Sequence, residues 1–145
     1  FLLFNGSCGG TYGSVLDLGS DFTLNTASGF NIYSIILPAN GLQNGGPDGL
    51  ALVDGSNVVV EFLNYEGSTI TATNGPANGM TSTNIGVVET SGTTIGTSLQ
   101  KIGTGSDASA FSWGLRPPAG RSGCLPASFC CPCLLCLSQM LGKPW

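Results

Sequence analysis

Five Asn-Gly pairs cut the first 80 residues into short runs: Asn5-Gly6, Asn40-Gly41, Asn44-Gly45, Asn74-Gly75 and Asn78-Gly79. Asn and Gly both tolerate the positive φ of a tight turn, so each pair is read as a turn between strands. Gly makes up 23 of the 145 residues, and Ser plus Thr another 29. Gly and β-branched residues are poor helix formers, and no long stretch carries a 3.6-residue apolar period. A phosphate-binding reading of the Gly-rich loops would need a helix after the loop, and usually a Lys. No helix follows these loops and Lys101 is far from any of them, so the expected fold is all-β.

The expected strands are short and bounded by turn residues. They are Phe1–Phe4, Ser14–Leu18, Phe22–Leu24, Ile32–Leu37, Leu50–Val53, Asn57–Tyr65, Ile70–Thr73, Ser98–Ile102 and Ala110–Trp113. Pro38 ends the fourth, in which Tyr33, Ile35 and Leu37 share one face and Ile32 and Ile36 the other. Asp54-Gly55-Ser56 between two apolar runs is a hairpin signal. In the run after it, Val58, Val60 and Phe62 alternate with Val59, Leu63 and Tyr65, which predicts a strand buried on both faces. Short strands at this spacing suggest a β-sandwich.

Composition narrows the chemistry. The chain has no His, which removes the Ser-His-Asp triad, the Cys-His pair and every His-ligated metal site. Four Lys plus Arg leave no basic face for nucleic acid. The net charge of −4 is small and 41% of residues are hydrophobic, more than an ordinary disordered chain carries. The length suits one domain that buries roughly two thirds of its unfolded surface. No catalytic activity is expected.

The composition changes after Trp113. Residues 1–113 read as the β domain and 114–145 as an irregular Pro- and Cys-rich tail. An unstructured segment, a shifted reading frame or a wrong gene model would each look like this tail. Five of the six cysteines lie from Cys124 to Cys136. Cys133-x-x-Cys136 has zinc-ligand spacing, and Cys130 or Cys131 with Cys124 would complete four sulfurs. Disulfides and palmitoylation remain open as well. The charge-free stretch Ser122–Gly142 has about the length of a bilayer span, but Pro126 and Pro132 argue against a regular membrane helix. Phe1 in place of Met reads as a cut through a longer protein or a processed end.

Several ordered motifs resemble the lamin-tail-like domain of secreted bacterial and algal proteins, which often sits beside an extracellular nuclease domain. They are Phe4-Asn5-Gly6, then Gly9-Gly10-Thr11-Tyr12-Gly13, then the central Asn44-Gly45-Gly46-Pro47-Asp48-Gly49-Leu50-Ala51-Leu52-Val53-Asp54. Asn57 through Gly67, Gly75 through Val87, Gly96 through Gln100 and Phe111-Ser112-Trp113 follow in order. The resemblance covers Phe1 to Trp113. It implies an immunoglobulin-like antiparallel β-sandwich, a secreted, extracellular location and a non-catalytic interaction module. The family carries one or two strands before the position of Phe1, so this sandwich is expected to lack its first strands, which exposes an edge. The Cys-rich tail has no counterpart in the family.

Other candidate sites are sparse. Asp48 and Asp54 are the first guess for a calcium site built with loop carbonyls, although both also suit turns. Glu61 and Glu66 are expected to face solvent. Asn5-Gly6-Ser7 is the one N-glycosylation sequon, with Asn5 as acceptor. Cys8 is expected to be a small buried residue or a disulfide partner for the tail. Trp113, Phe111, Phe62, Tyr65, Tyr33, Phe30 and Phe22 are expected in the core. No cofactor is expected. The functional expectation is protein–protein contact or adhesion, through a protein partner or self-association. The alternatives are an accessory domain of a secreted nuclease, a filament subunit completed by a donated strand, and a carbohydrate-binding module.

Overall fold

The structure, a computed structural model, describes residues 1–27, 30–39, 41–43 and 45–117. Among them the chain is nearly all-β, with nine strands and a single 3₁₀ turn at Ala108–Ala110. The strands are β1 (Leu2–Asn5), β2 (Thr11–Tyr12), β3 (Thr23–Ala27), β4 (Phe30–Ser34), β5 (Asp48–Val53), β6 (Val59–Tyr65), β7 (Thr83–Asn84), β8 (Ser98–Gly103) and β9 (Phe111–Arg116). The described chain falls into two compact units. One comprises Phe1–Asp21 and Leu37–Val88, the other Phe22–Ile36 and the chain from Glu89 onward.

The first unit is built on a five-stranded sheet in the order β2-β1-β5-β6-β7, antiparallel except for the β6–β7 pair. The Asp54 turn makes the β5–β6 hairpin as expected. Asp54 Oδ1 accepts the amides of Ser56 and Val58, both at 2.8 Å, and Asn57 takes the left-handed φ of 63°. An Asp side chain that caps its own turn this way makes the reversal local and independent of packing.

The core of this unit lies on one face of the sheet. Phe4, Ala51 and Phe62 pack with Ile70, Ala72 and Ala77, and Leu2, Val53 and Val59 flank them. The rings of Phe4 and Phe62 are 4.9 Å apart and tilted by 53°, a favourable aromatic geometry. On the other face Leu3, Leu50 and Leu63 form a register-matched row across β1, β5 and β6, and all three are buried.

The second unit, described by itself, contains two antiparallel ribbons. β3 pairs with β4, placing Leu24 opposite Tyr33. β8 pairs with β9, placing Lys101 opposite Trp113, with the ammonium 5.6 Å from the ring centroid.

Several expectations are corrected. Ser14–Leu18 forms no strand; its backbone bends through the Asp17–Asp21 turn, where Asp17 Oδ1 accepts from Gly19. The expected Ile32–Leu37 strand lies at Phe30–Ser34, because the register is set by β3. Ile70–Thr73 contributes one bridge, Thr71 to Thr81, while Ile70 and Ala72 still enter the core. The short β2 and β7 were not expected.

The faces of β6 also differ from simple alternation. Leu52 pairs with Glu61 and Val53 with Val59, so a bulge leaves Val60 without a partner on β5. One extra residue reverses the parity of the strand before it. Val59, not Val60, therefore packs with Phe62, and Val58 and Val60 are exposed. Burial on both faces holds only for the half from Phe62 to Tyr65.

The tail from residue 118, with Cys124, Cys130, Cys131, Cys133 and Cys136, lies outside the described residues, as does the Ser122–Gly142 stretch. Among the described residues no helix is long and apolar enough to cross a membrane.

Candidate functional site

A polar cluster sits at one end of the five-stranded sheet. Asn5 ends β1, Asp48 begins β5 and Tyr65 ends β6, and pairing sets them side by side: Asn5 opposite Asp48, and Asp48 opposite Tyr65. They share the face of Leu3, and Tyr12 of β2 lies opposite Leu3 on that face.

Gln43 laces the loop before β5 to this row. Its amide donates to the Tyr12 hydroxyl oxygen at 3.0 Å, and its carbonyl accepts from the Tyr65 hydroxyl at 2.9 Å. Its side-chain Oε1 accepts from Asn5 Nδ2 at 2.8 Å. Glu66, at a left-handed φ of 55°, accepts the Gly45 amide on Oε2 at 3.0 Å. Asp48 Oδ1 accepts the Gly6 amide at 3.2 Å.

The backbones approach so closely here that two glycines are required. A methyl group on Gly6 would overlap the Pro47 carbonyl oxygen, and one on Gly46 would overlap that of Glu66. The Gly46–Pro47 peptide is cis.

Burial shapes the electrostatics. It pushes the Tyr65 phenol far above its ordinary value, aided by the neighbouring Tyr12 and Asp48. It raises Tyr12 as well, against the hydrogen bonds to Gln43 and Tyr65. Asp48 is 4% exposed, and its carboxyl is raised first by that burial and further by the charge of Glu66, with the Gly6 amide opposing. The cluster thus holds two neutral phenols and a carboxylate whose charge is disfavoured.

The raised Asp48 gives a pH prediction. A group whose folded pKa lies above its unfolded value stabilises the fold when protonated. That contribution is fully present below the unfolded pKa of about 4 and is lost as pH rises through the higher folded value. Asp48→Asn keeps an oxygen for Gly6 and removes the charge. Its melting temperature is expected to exceed that of the parent at neutral pH, with the gap closing as pH falls toward about 4. Thermal melts of both proteins across this range check it, and a gap of opposite sign would refute it.

A second cluster centres on a buried amide. Asn64, on β6, is buried; its Nδ2 donates to the Ser68 carbonyl at 3.0 Å and its Oδ1 accepts from the Ser82 hydroxyl at 2.8 Å. Ser82 Oγ in turn accepts the Ile70 amide at 2.9 Å. This chain fastens segment 68–82 over the core. Every buried side-chain nitrogen and oxygen among the described residues has a partner.

The sequence-derived candidates disperse. Asp48 and Asp54 stand at opposite ends of β5, about 20 Å apart at ~3.3 Å per residue, so they do not converge on one ion. Asp48 is a buried strand residue, while Asp54 is the turn cap. Among the described residues no group of three His, Cys, Asp or Glu is placed to hold a metal. Asn5, the sequon residue, is half-buried, and the Nδ2 that a glycan would occupy is bonded to Gln43. Cys8 is exposed rather than buried, with its sulfur 3.4 Å from the Gly10 amide. Glu61 and Glu66 are half-buried, not solvent-facing. Of the expected core aromatics, Phe62, Tyr65 and Phe111 are buried, Phe22 and Trp113 are half-buried, and Tyr33 is exposed. Sequence reading missed Tyr12, Gln43 and Asn64. For Asn64 there was a signal, an amide inside an otherwise apolar run.

No family model, curated protein or solved structure matches the chain.

Proposed function

We propose that the chain is a non-catalytic, extracellular β-sandwich module of immunoglobulin-like topology that works by protein–protein contact, including contact with its own copies. The antiparallel sheets and the resemblance to lamin-tail-like domains support the class. The observation that carries the interaction reading is the β3–β4 ribbon. Leu24 and Tyr33 face each other on it, and they and Ile32 are 42–49% exposed. A two-stranded ribbon is marginal in water by itself, so apolar pairs left in solvent call for a partner surface. No charged residue occurs from Phe22 to Pro47. Charges and prolines are what keep strand edges from pairing with other chains, and β3 and β4 carry neither. The same uncharged edges favour a second reading, a filament subunit completed by a donated strand.

Sedimentation velocity over a wide concentration range tests this. The parent is expected to associate with rising concentration. Leu24→Lys combined with Tyr33→Lys is expected to weaken that association roughly tenfold to thirtyfold while leaving the circular dichroism intact. A parent chain that stays monomeric at every concentration would sink self-association.

A further inference from the structure

We infer that Asn74 is a site of spontaneous modification, where the folded chain converts its own asparagine to aspartate and isoaspartate. The reaction needs a backbone nitrogen free to attack the side-chain amide carbon, and glycine as the next residue leaves room for the ring that forms. The sequence offers five Asn-Gly pairs, but the fold treats their glycine amides differently. Gly6 donates to Asp48 Oδ1, Gly41 to the Pro38 carbonyl, Gly45 to Glu66 Oε2 and Gly79 to the Ala72 carbonyl. Gly75 donates no hydrogen bond within the described residues, and both Asn74 and Gly75 are exposed. The Thr11 amide donates to Asn74 Oδ1 at 2.9 Å, which draws electrons from the amide carbon and holds its oxygen as negative charge develops there.

The step balances with water alone. The Gly75 nitrogen gives up its proton to solvent and bonds to Cγ of Asn74. The Cγ–Nδ2 bond breaks, and Nδ2 takes a proton and leaves as ammonia. Water then opens the cyclic imide at either carbonyl, giving aspartate or isoaspartate. The isoaspartate form adds a methylene to the main chain. It lies between Thr73, whose amide donates to the Gly9 carbonyl at 2.8 Å, and the point where Oδ1 holds Thr11 of β2. Conversion therefore loosens the edge strand. This inference is independent of the proposed function.

The test is peptide mapping by mass spectrometry of the intact chain aged at neutral pH, folded and in concentrated urea. In the folded chain, Asn74 is expected to convert roughly fivefold to tenfold faster than Asn5 and Asn78, the factor set by the one hydrogen bond their glycines must first break. In urea the three rates are expected to converge. Equal or slower conversion of Asn74 in the folded chain would overturn the inference. So would an advantage that persists unchanged in urea, since geometry would then not be its cause.

Discussion

Phe4→Ala is expected to lower the unfolding free energy by about 4 kcal/mol, the largest loss of any single truncation in the first unit. Phe4 is fully buried at the centre of β1, packs on Phe62, and reaches Ala51 and Ile70 within the same cluster. Its partners include three alanines, whose short side chains cannot swing into the space a missing ring would leave. The transfer loss and the cavity loss therefore add with little relief. A domain of this size is stable by about 5–15 kcal/mol, so the variant would retain a marginal fold. Urea denaturation followed by tryptophan or tyrosine emission measures it. Phe4→Leu, which refills most of the volume, is expected to recover more than half of the loss. A loss below about 1 kcal/mol for the alanine variant would show that Phe4 is not central to the core.

Gly6→Ala is expected to cost about 3 kcal/mol or more through a different mechanism. The added methyl meets the backbone carbonyl of Pro47, and no rotamer change can relieve a contact with main chain. Relief requires the loop before β5 to move, and that movement strains the Gly6–Asp48 bond and the three bonds to Gln43. The readout is again urea denaturation, with the melting temperature as a second probe. Gly13→Ala is the control for glycine as such, since a Cβ there meets nothing within 4 Å, although its φ of 67° adds backbone strain. If the two variants lose the same stability, the close approach to Pro47 is not what fixes Gly6.

How far the fold could be read from sequence depended on whether each feature is local. The β5–β6 hairpin was legible because Asp54 and Gly55 specify the reversal themselves. The bulge was not, since it exists only as a mismatch between β5 and β6, and nothing in the Val58-Val59-Val60 run marks which valine is extra. Ile70 and Ala72 read as a strand because their spacing matches one. The structure buries the same side chains but anchors the segment through Ser82 and Asn64 instead of a ladder. Tyr33 alternates correctly, but alternation does not say whether a second layer covers it. Asp48, like Asp54, suited a turn from sequence. Its role at the sheet end emerged only once Gly6, brought from more than forty residues away, was placed against it. The candidate calcium pair failed for the same reason: nearness along an extended strand is distance in space.

The connection between β2 and β5 bears on how such a chain can diversify. The first unit is left after Asp21 and re-entered at Leu37, and β1 pairs with β2 and β5 without using either strand of the intervening segment. The β3–β4 ribbon thus takes no part in the pairing of that sheet and belongs instead to the second unit. Lengthening such an excursion twofold adds only about 0.6 kcal/mol of closure entropy. Changes of length or side chain between Asp21 and Leu37 therefore leave the register of the five-stranded sheet as it is.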